Sequence, residues 1–301
     1  MVQWMDATQT AALLDFAALR DAIKQAAQEM AQGQIDSPDR HALPLGDGGS
    51  LLSMPATAAD IGIHKLVTVV PGNGAQGLPT IHGMVSVWNA ATGQPLCVLD
   101  GPVVTGRRTA AVSMLGIHLL MAQPPQRVLL VGTGTQALFH VQALHAFYPD
   151  CHIDVRGSAL AKAWQFCAQH AQEHAHLQAV DAEVQGDWDL VVLTTTSKKP
   201  IYDEAPRAGR LIVAVGAFRP DMAEIGARTL GGSRIYVDEP SGAQHEAGDL
   251  IQAKVAWEQV QGLANAVAQA PDVSQPLVFK TVGSAAWDLA AARVAVAALQ
   301  R

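Results

Sequence analysis

Basic charge is the first thing this chain is short of: Lys and Arg number 20 against 27 Asp and Glu over 301 residues, a formal net charge of −7. No basic run exceeds two residues, so a nucleic-acid-binding surface is not expected and nucleic acid drops out as a partner class. Cysteine is scarce as well. Cys97, Cys151 and Cys167 are odd in number and lack metal-ligand spacing, which argues against a disulfide framework and fits reduced thiols in a cytosolic protein. The 11 histidines include no H-E-x-x-H pair, and no metal site is expected. His64, His82 and His118 read as readily structural as catalytic, with His82 kept as a candidate because its strand can face a cleft. There is no N-terminal segment of signal type and no run of about 18 apolar residues, so neither secretion nor membrane spanning is expected and the cytoplasm is the expected compartment.

What the chain does have is V-L-L-V-G-T-G-T-Q-A at 128–137, an apolar run that breaks into Gly132, Gly134 and Ala137 ahead of helical spacing from Ala137 to Phe147. In a dinucleotide-binding turn the first glycine permits the bend, the second lets backbone approach a pyrophosphate, and the third small residue lets helix and strand pack closely. The pyrophosphate then meets unpaired N–H groups at the helix N-terminus. A strand from Arg127 to Val131 and another beginning at His152, after Pro149, complete a β-α-β unit around the turn. At the end of the second strand, where an NAD-preferring protein carries Asp or Glu for the ribose hydroxyl, stand Arg156, Gly157 and Ser158. A guanidinium beside a hydroxyl suits a 2′-phosphate, so NADPH is expected over NADH, with NADH not excluded. The competing reading of Arg156 is a solvated turn arginine.

The turn arrives near mid-chain, and about 120 residues before it need a role of their own. Phe16, Leu19, Ile23, Ala27 and Met30 recur at helical spacing behind a cap at Asp15. Strands are expected at 41–45, 50–54, 61–70, 80–89 and 95–99, separated by G-D-G-G, P-G-N-G and A-T-G-Q turns. Thr105 to Met121 reads as a connecting helix, and later strands as Leu190–Leu193, Leu211–Val215 and Ile235–Val237 before a last helix, Ala285–Leu299. The fold class is α/β, with a parallel-sheet nucleotide-binding domain at 121–285. An α+β domain of mainly antiparallel sheet takes 1–120, with about 286–301 returning to it.

Three cations stand out in the first domain: Arg40, Lys65 and Arg108. Lys65 interrupts the apolar strand I-G-I-H-K-L-V-T-V, where it either snorkels to water or lines a pocket. Arg107 and Arg108 precede Thr109, which together with nearby N–H groups can meet a phosphate. For either arginine a solvated or salt-bridged role competes. Asp249 reads as a helix cap or a domain-interface carboxylate, and Asp288 as a structural residue near the last helix.

Many ordered motifs then give the chain a likeness: Arg40 before L-P-L, M-P-A at 54–56, Lys65, G-N-G-A-Q-G-L-P at 72–79, T-G-R-R-T-A-A-V-S at 105–113, G-T-G-T-Q-A, T-T-T-S at 194–197, G-A-F-R-P-D-M-A-E at 216–224, E-A-G-D-L at 246–250 and F-K-T-V-G-S-A-A-W-D-L-A at 279–290. Over nearly its whole length it resembles the ornithine cyclodeaminase and mu-crystallin family. That resemblance implies a homodimer built through the first domain and an active site between it and a Rossmann-like NAD(P)-binding domain. It implies that Arg40 and Arg108 bind a substrate carboxylate, that Lys65 lies near the reacting nitrogen-bearing carbon, and that Thr109, Thr195, Ser197 and Val282 or Gly283 line the cofactor. The full expected cofactor set is Thr109, Gly132, Thr133, Gly134, Thr135, Gln136, Ala137, Arg156, Ser158, Thr195, Thr196, Ser197, Val215, Val282 and Gly283.

One position separates activities within the family. Cyclodeaminases carry an aspartate for proton transfer shortly after the glycine that follows a strand; here Phe218 stands there, in G-A-F-R-P. Phenylalanine cannot exchange a proton, and the segment resembles the ketimine reductase branch, which reduces Δ1-pyrroline-2-carboxylate and Δ1-piperideine-2-carboxylate to proline and pipecolate. The expectation is therefore an NADPH-dependent imine reductase acting on a small cyclic imino acid, with Lys65 as proton donor or polariser. The alternatives are ornithine cyclodeamination with Asp221 or Glu224 in the missing aspartate's role, an amino-acid dehydrogenase, and a crystallin-like ligand-binding protein without turnover.

Overall fold

The computed structural model describes residues 2–300. The chain opens with β1 (Gln3–Trp4), α1 (Ala7–Leu13) and α2 (Phe16–Ala31), then β2 (His41–Leu45), β3 (Gly49–Thr57), β4 (Ile61–Val69), β5 (Ile81–Asn89), β6 (Pro95–Asp100) and α3 (Gly101–Leu120). Next come β7 (Arg127–Val131), α4 (Thr135–Phe147), β8 (His152–Arg156), α5 (Leu160–Gln169), β9 (Leu177–Ala179), β10 (Leu190–Leu193) and β11 (Leu211–Ala214). The remainder is α6 (Ala227–Gly231), β12 (Arg234–Val237), α7 (Pro240–Glu246), α8 (Gly248–Ala253), β13 (Gln261–Gly262), α9 (Leu263–Ala268), β14 (Leu277–Lys280) and α10 (Ala285–Leu299). Two compact units result, one made of the chain up to Ala111 with everything from Ser284 onward, the other of Val112–Gly283. The division falls inside α3.

In the first unit, the Asp15 carboxylate accepts from Ala18 N at 2.9 Å and starts α2, whose Phe16, Leu19, Ile23, Ala26 and Ala27 are buried. Six strands form a sheet in the order β1-β6-β5-β4-β3-β2, antiparallel except for the β1–β6 pair. β4 alternates buried and half-buried, which places Ile61, Ile63, Lys65 and Val67 on its inner face. α10 packs against α2, β3 and β4. The helix expected from Thr105 starts earlier, at Gly101, because the Asp100 carboxylate caps it through Val103 N at 2.8 Å. The Gly-Pro pair at 101–102 belongs to the first turn, where proline lacks only a donor that the helix leaves unused.

The second unit is an eight-stranded sheet, wholly parallel, in the order β13-β12-β14-β11-β10-β7-β8-β9. β10, β11 and β14 are buried along their whole length, as in a parallel sheet with both faces covered. The chain leaves β7 toward β8 and β9, then returns to β10 on the other side of β7. Beside β7 the strand order reverses, and at such a reversal the carboxyl ends of the strands open a crevice for a ligand.

Gly116 lies on α3 where a Cβ would overlap the Phe279 ring, with Cγ at 3.1 Å and two ring atoms nearer. Gly116→Ala therefore sets a helix-propensity gain of about 1 kcal/mol against an overpacking cost of about 1–3 kcal/mol. The expected outcome is a lower urea midpoint; a raised midpoint means that Phe279 moves aside at little cost.

Candidate active site

Two groups of chemically capable residues are built, one in each unit. In the first unit, Lys65 does not snorkel: its side chain is 2% exposed, and Nζ donates to Asp288 Oδ2 at 2.6 Å. The other oxygen of the same carboxylate accepts from Arg108 Nε at 3.1 Å. β4 supplies the lysine, α3 the arginine and the first turn of α10 the aspartate. Arg40 is near enough to add to the field on Lys65. Burial pushes the Lys65 ammonium down to about 8, Arg108 and Arg40 push the same way, and Asp288 opposes them. One carboxylate against these cations leaves a surplus of positive charge in a place shielded from water, which suits an incoming carboxylate. The adjacent arginines have separate tasks: Arg107 donates to Leu14 O at 2.7 Å and stacks on Phe16 at 4.0 Å, holding α2 to α3. Thr109 is buried on α3. His64 is engaged by Ser53 at 2.8 Å, and His82 lies exposed on β5.

In the second unit, the parallel register brings the expected cofactor residues to one edge of the sheet. Gly132 follows β7, Arg156 ends β8, Thr195 to Ser197 follow β10, Val215 follows β11, and Val282 and Gly283 follow β14. Gly132 has φ +127°, and a Cβ there would strike Thr194 Oγ1, so only glycine makes the turn. Gly134 caps α4 without a side-chain hydrogen bond and has open space where a Cβ would be. Ala137 is fully buried. An uncovered helix N-terminus approached through a bare backbone fits the pyrophosphate of a dinucleotide. Thr133 is half-buried, while Thr135, Ser158 and Thr196 are exposed. The Gln136 Oε1 is buried with no partner among the described residues. Arg156 is less free than a solvated turn arginine: Nη2 donates to Val184 O at 2.8 Å and the guanidinium lies 5.4 Å from the Trp188 ring centroid.

Behind that edge sits a set of buried carboxylates, Glu224, Asp238 and Asp249, of which the sequence drew no attention to Asp238 and gave no sign of the shared network. Glu224 is fully buried; Oε1 accepts from Thr195 N at 2.5 Å and Thr195 Oγ1 at 2.9 Å, and Oε2 from Gly216 N at 2.6 Å and Ala217 N at 3.3 Å. Burial raises its pKa, opposed by Lys280 and by these N–H donors. Asp249 is buried and is not the cap of its helix, which Ala247 begins: Oδ1 accepts from Glu224 N and from Ile225 N, and Oδ2 pairs with the fully buried Lys280 at 2.9 Å. Asp238 takes the N–H groups of Val282 and Gly283 at 3.0 and 2.8 Å. Asp221, by contrast, is half-exposed on Arg219 and Lys198. Glu224, sealed and saturated with donors, cannot stand in for the aspartate replaced by Phe218. A lone acid in an apolar helix, as in A-A-W-D-L-A, was the available signal for Asp288, since a buried carboxylate requires a cation.

Asp288→Asn leaves Lys65 and Arg108 facing each other without a counter-charge. A loss of roughly 3–5 kcal/mol is expected, read as a fall in the urea midpoint; an unchanged midpoint removes Asp288 from the stability of the first unit.

Residues 1–299 match the model of the ornithine cyclodeaminase/mu-crystallin family. The chain is 52% identical over 295 residues to Delta(1)-pyrroline-2-carboxylate reductase 2 of Burkholderia ambifaria, covering 98% of this chain and 95% of that protein. It is likewise 52% identical, with 98% and 95% covered, to the Delta(1)-pyrroline-2-carboxylate/Delta(1)-piperideine-2-carboxylate reductase of Azospirillum brasilense. Among solved structures, Delta(1)-pyrroline-2-carboxylate reductase of Thermococcus litoralis in complex with NADH and L-proline is similar with a TM-score of 0.90 at 21% identity, over 99% of this chain and 98% of that one. This last likeness is one of fold. With the match running over nearly its whole length, the chain belongs to the ornithine cyclodeaminase/mu-crystallin family.

Proposed function

We propose that this chain is an NAD(P)H-dependent reductase of cyclic ketimine carboxylates, converting Δ1-pyrroline-2-carboxylate to L-proline and Δ1-piperideine-2-carboxylate to L-pipecolate, with NADPH preferred. The observation that carries the reading is Lys65: a buried ammonium, brought down to about 8 and held by Asp288. A cyclic imine accepts hydride once its nitrogen is protonated or polarised, and a donor poised near neutral pH does this best. Names of relatives at 52% identity support the substrate class, and Phe218 in place of an ionisable residue speaks against cyclodeamination of ornithine.

In this reading Arg108, helped by Arg40, takes the substrate carboxylate, and Asp288 keeps Arg108 and Lys65 oriented while bound. Lys65, directly or through a water it orients, gives a proton to the ring nitrogen. Gly132 to Ala137 would hold the pyrophosphate, Arg156 and Ser158 the ribose 2′-phosphate, and Thr109, Thr195 to Ser197, Val215, Val282 and Gly283 the remainder of the dinucleotide. The reduced nicotinamide, when bound, supplies the hydride. Glu224, Asp238 and Asp249 touch neither reactant; they fix the backbone of the loops after β10, β11 and β14. A homodimer formed through the first unit belongs to the same reading, supported by the outer strand β2, which exposes Leu43 and Leu45.

Purified protein given NADPH and either cyclic imine should oxidise the cofactor, and given L-ornithine and NAD should release no ammonia; ammonia without imine reduction overturns the assignment. The kcat/KM for the imine should fall as pH rises through about 8, where Lys65 loses its proton. In folded Asp288→Asn that limb should move to lower pH, because the carboxylate is what holds the proton on. Arg156→Ala should raise the KM for NADPH about tenfold or more while changing that for NADH little, since a charge-assisted phosphate contact contributes about 1.5–3 kcal/mol. Equal effects on both cofactors would assign the 2′-phosphate elsewhere.

A further inference from the structure

A second cavity lies at the other end of the parallel sheet, where β12 and β13 begin with Arg234 and Gln261. Its volume is about 720 Å³, within the range of small-molecule sites. The cofactor edge is at the carboxyl ends of these strands, so the two places are distinct. The lining includes Ser233, Arg234, Lys254, Gln259, Gln261 and Gln275, and its fifteen residues contain two cations and no carboxylate. In a chain of net charge −7 that is a local reversal of sign.

Lys254 is exposed and Arg234 half-buried. Among the described residues, the Arg234 guanidinium and the Lys254 ammonium form no hydrogen bond or ion pair. Asp272 feels Arg234 through space, but its oxygens are taken by Ser274 and Gln275. Arg234 is half-buried, so five donors are held at the cavity wall unspent. Lys254 also carries backbone strain. With φ 53° and ψ 48° it is the one non-glycine among the described residues at positive φ, in the position ending α8 that glycine normally fills. A residue held where another would be more stable points to a use for its side chain.

We infer that this cavity is a binding site for a small phosphate-bearing metabolite, its dianion held by Arg234 and Lys254 and its polar body by the amides of Gln259 and Gln261. Two cations match the charge of a phosphate dianion better than that of one carboxylate, and the arginine fork matches its oxygens. The volume exceeds what free phosphate fills, so an ester is the expected occupant.

The test is titration calorimetry of the full-length protein with glycerol 3-phosphate and with inorganic phosphate, at constant ionic strength. Saturable binding is expected, tighter for the ester, at least tenfold weaker in Arg234→Gln and in Lys254→Gly, and retained in Arg156→Ala. Lys254→Gly should also melt about 2 °C higher without ligand, because glycine relieves the left-handed backbone. Absence of binding, equal binding by Arg234→Gln, or loss of binding in Arg156→Ala, which would put the probe on the cofactor edge, each overturns the site. A lower melting temperature for Lys254→Gly overturns the strain argument on which the role of Lys254 rests.

Discussion

The carboxylate of Asp288 is the group on which the first unit depends. It carries Lys65 on one oxygen and Arg108 on the other, and all three side chains are withdrawn from water. A lysine at an inward-facing position of a sheet would be among the most costly placements in a protein without such a partner. With it, the ammonium is held in place. Desolvation and the neighbouring arginines reduce the lysine's hold on its proton, while the aspartate prevents outright neutralisation. The same contact fastens the last helix to the central strand, so the architecture and the buried ammonium share one bond.

The second unit solves a different problem by similar means. Loops at the carboxyl edge of a parallel sheet have many N–H groups and little regular structure to satisfy them. Here Glu224 and Asp238 collect the N–H groups of Thr195, Gly216, Ala217, Val282 and Gly283. Asp249 then collects the N–H groups of Glu224 and Ile225, and Lys280 balances its charge. The edge is thus held by buried acids bonded to its backbone. Removing solvent from them strengthens every such bond, which favours an edge already in its working shape.

Local signals in the sequence were strong where a single element decided the outcome. The Asp15 cap, the apolar strand of β4 and the glycine turn after β7 depend on neighbours within a few residues, and each is where its pattern placed it. The last helix was legible for its mostly apolar run. What escaped was set by distance along the chain. β14 is only L-V-F-K, too short to show a period, and is a strand because β11 and β12 flank it. Lys280 and Asp249 acquire meaning only when paired, and Asp288 looked structural because its two cations lie in β4 and α3. The family likeness supplied Arg40, Lys65 and Arg108 as a set, but not the carboxylate that binds two of them together.

The return of α10 to the first unit also sets an order of events on the ribosome. Lys65 is made 223 residues before its counter-charge, an interval of roughly 10 to 45 s at ordinary rates of translation. Throughout that interval the inner face of β4 has neither its covering helix nor a partner for its ammonium. The second unit is contiguous from Val112 to Gly283. The part of the chain that emerges first therefore waits for α10 to complete it, and its nascent sheet must avoid aggregation until that helix is made.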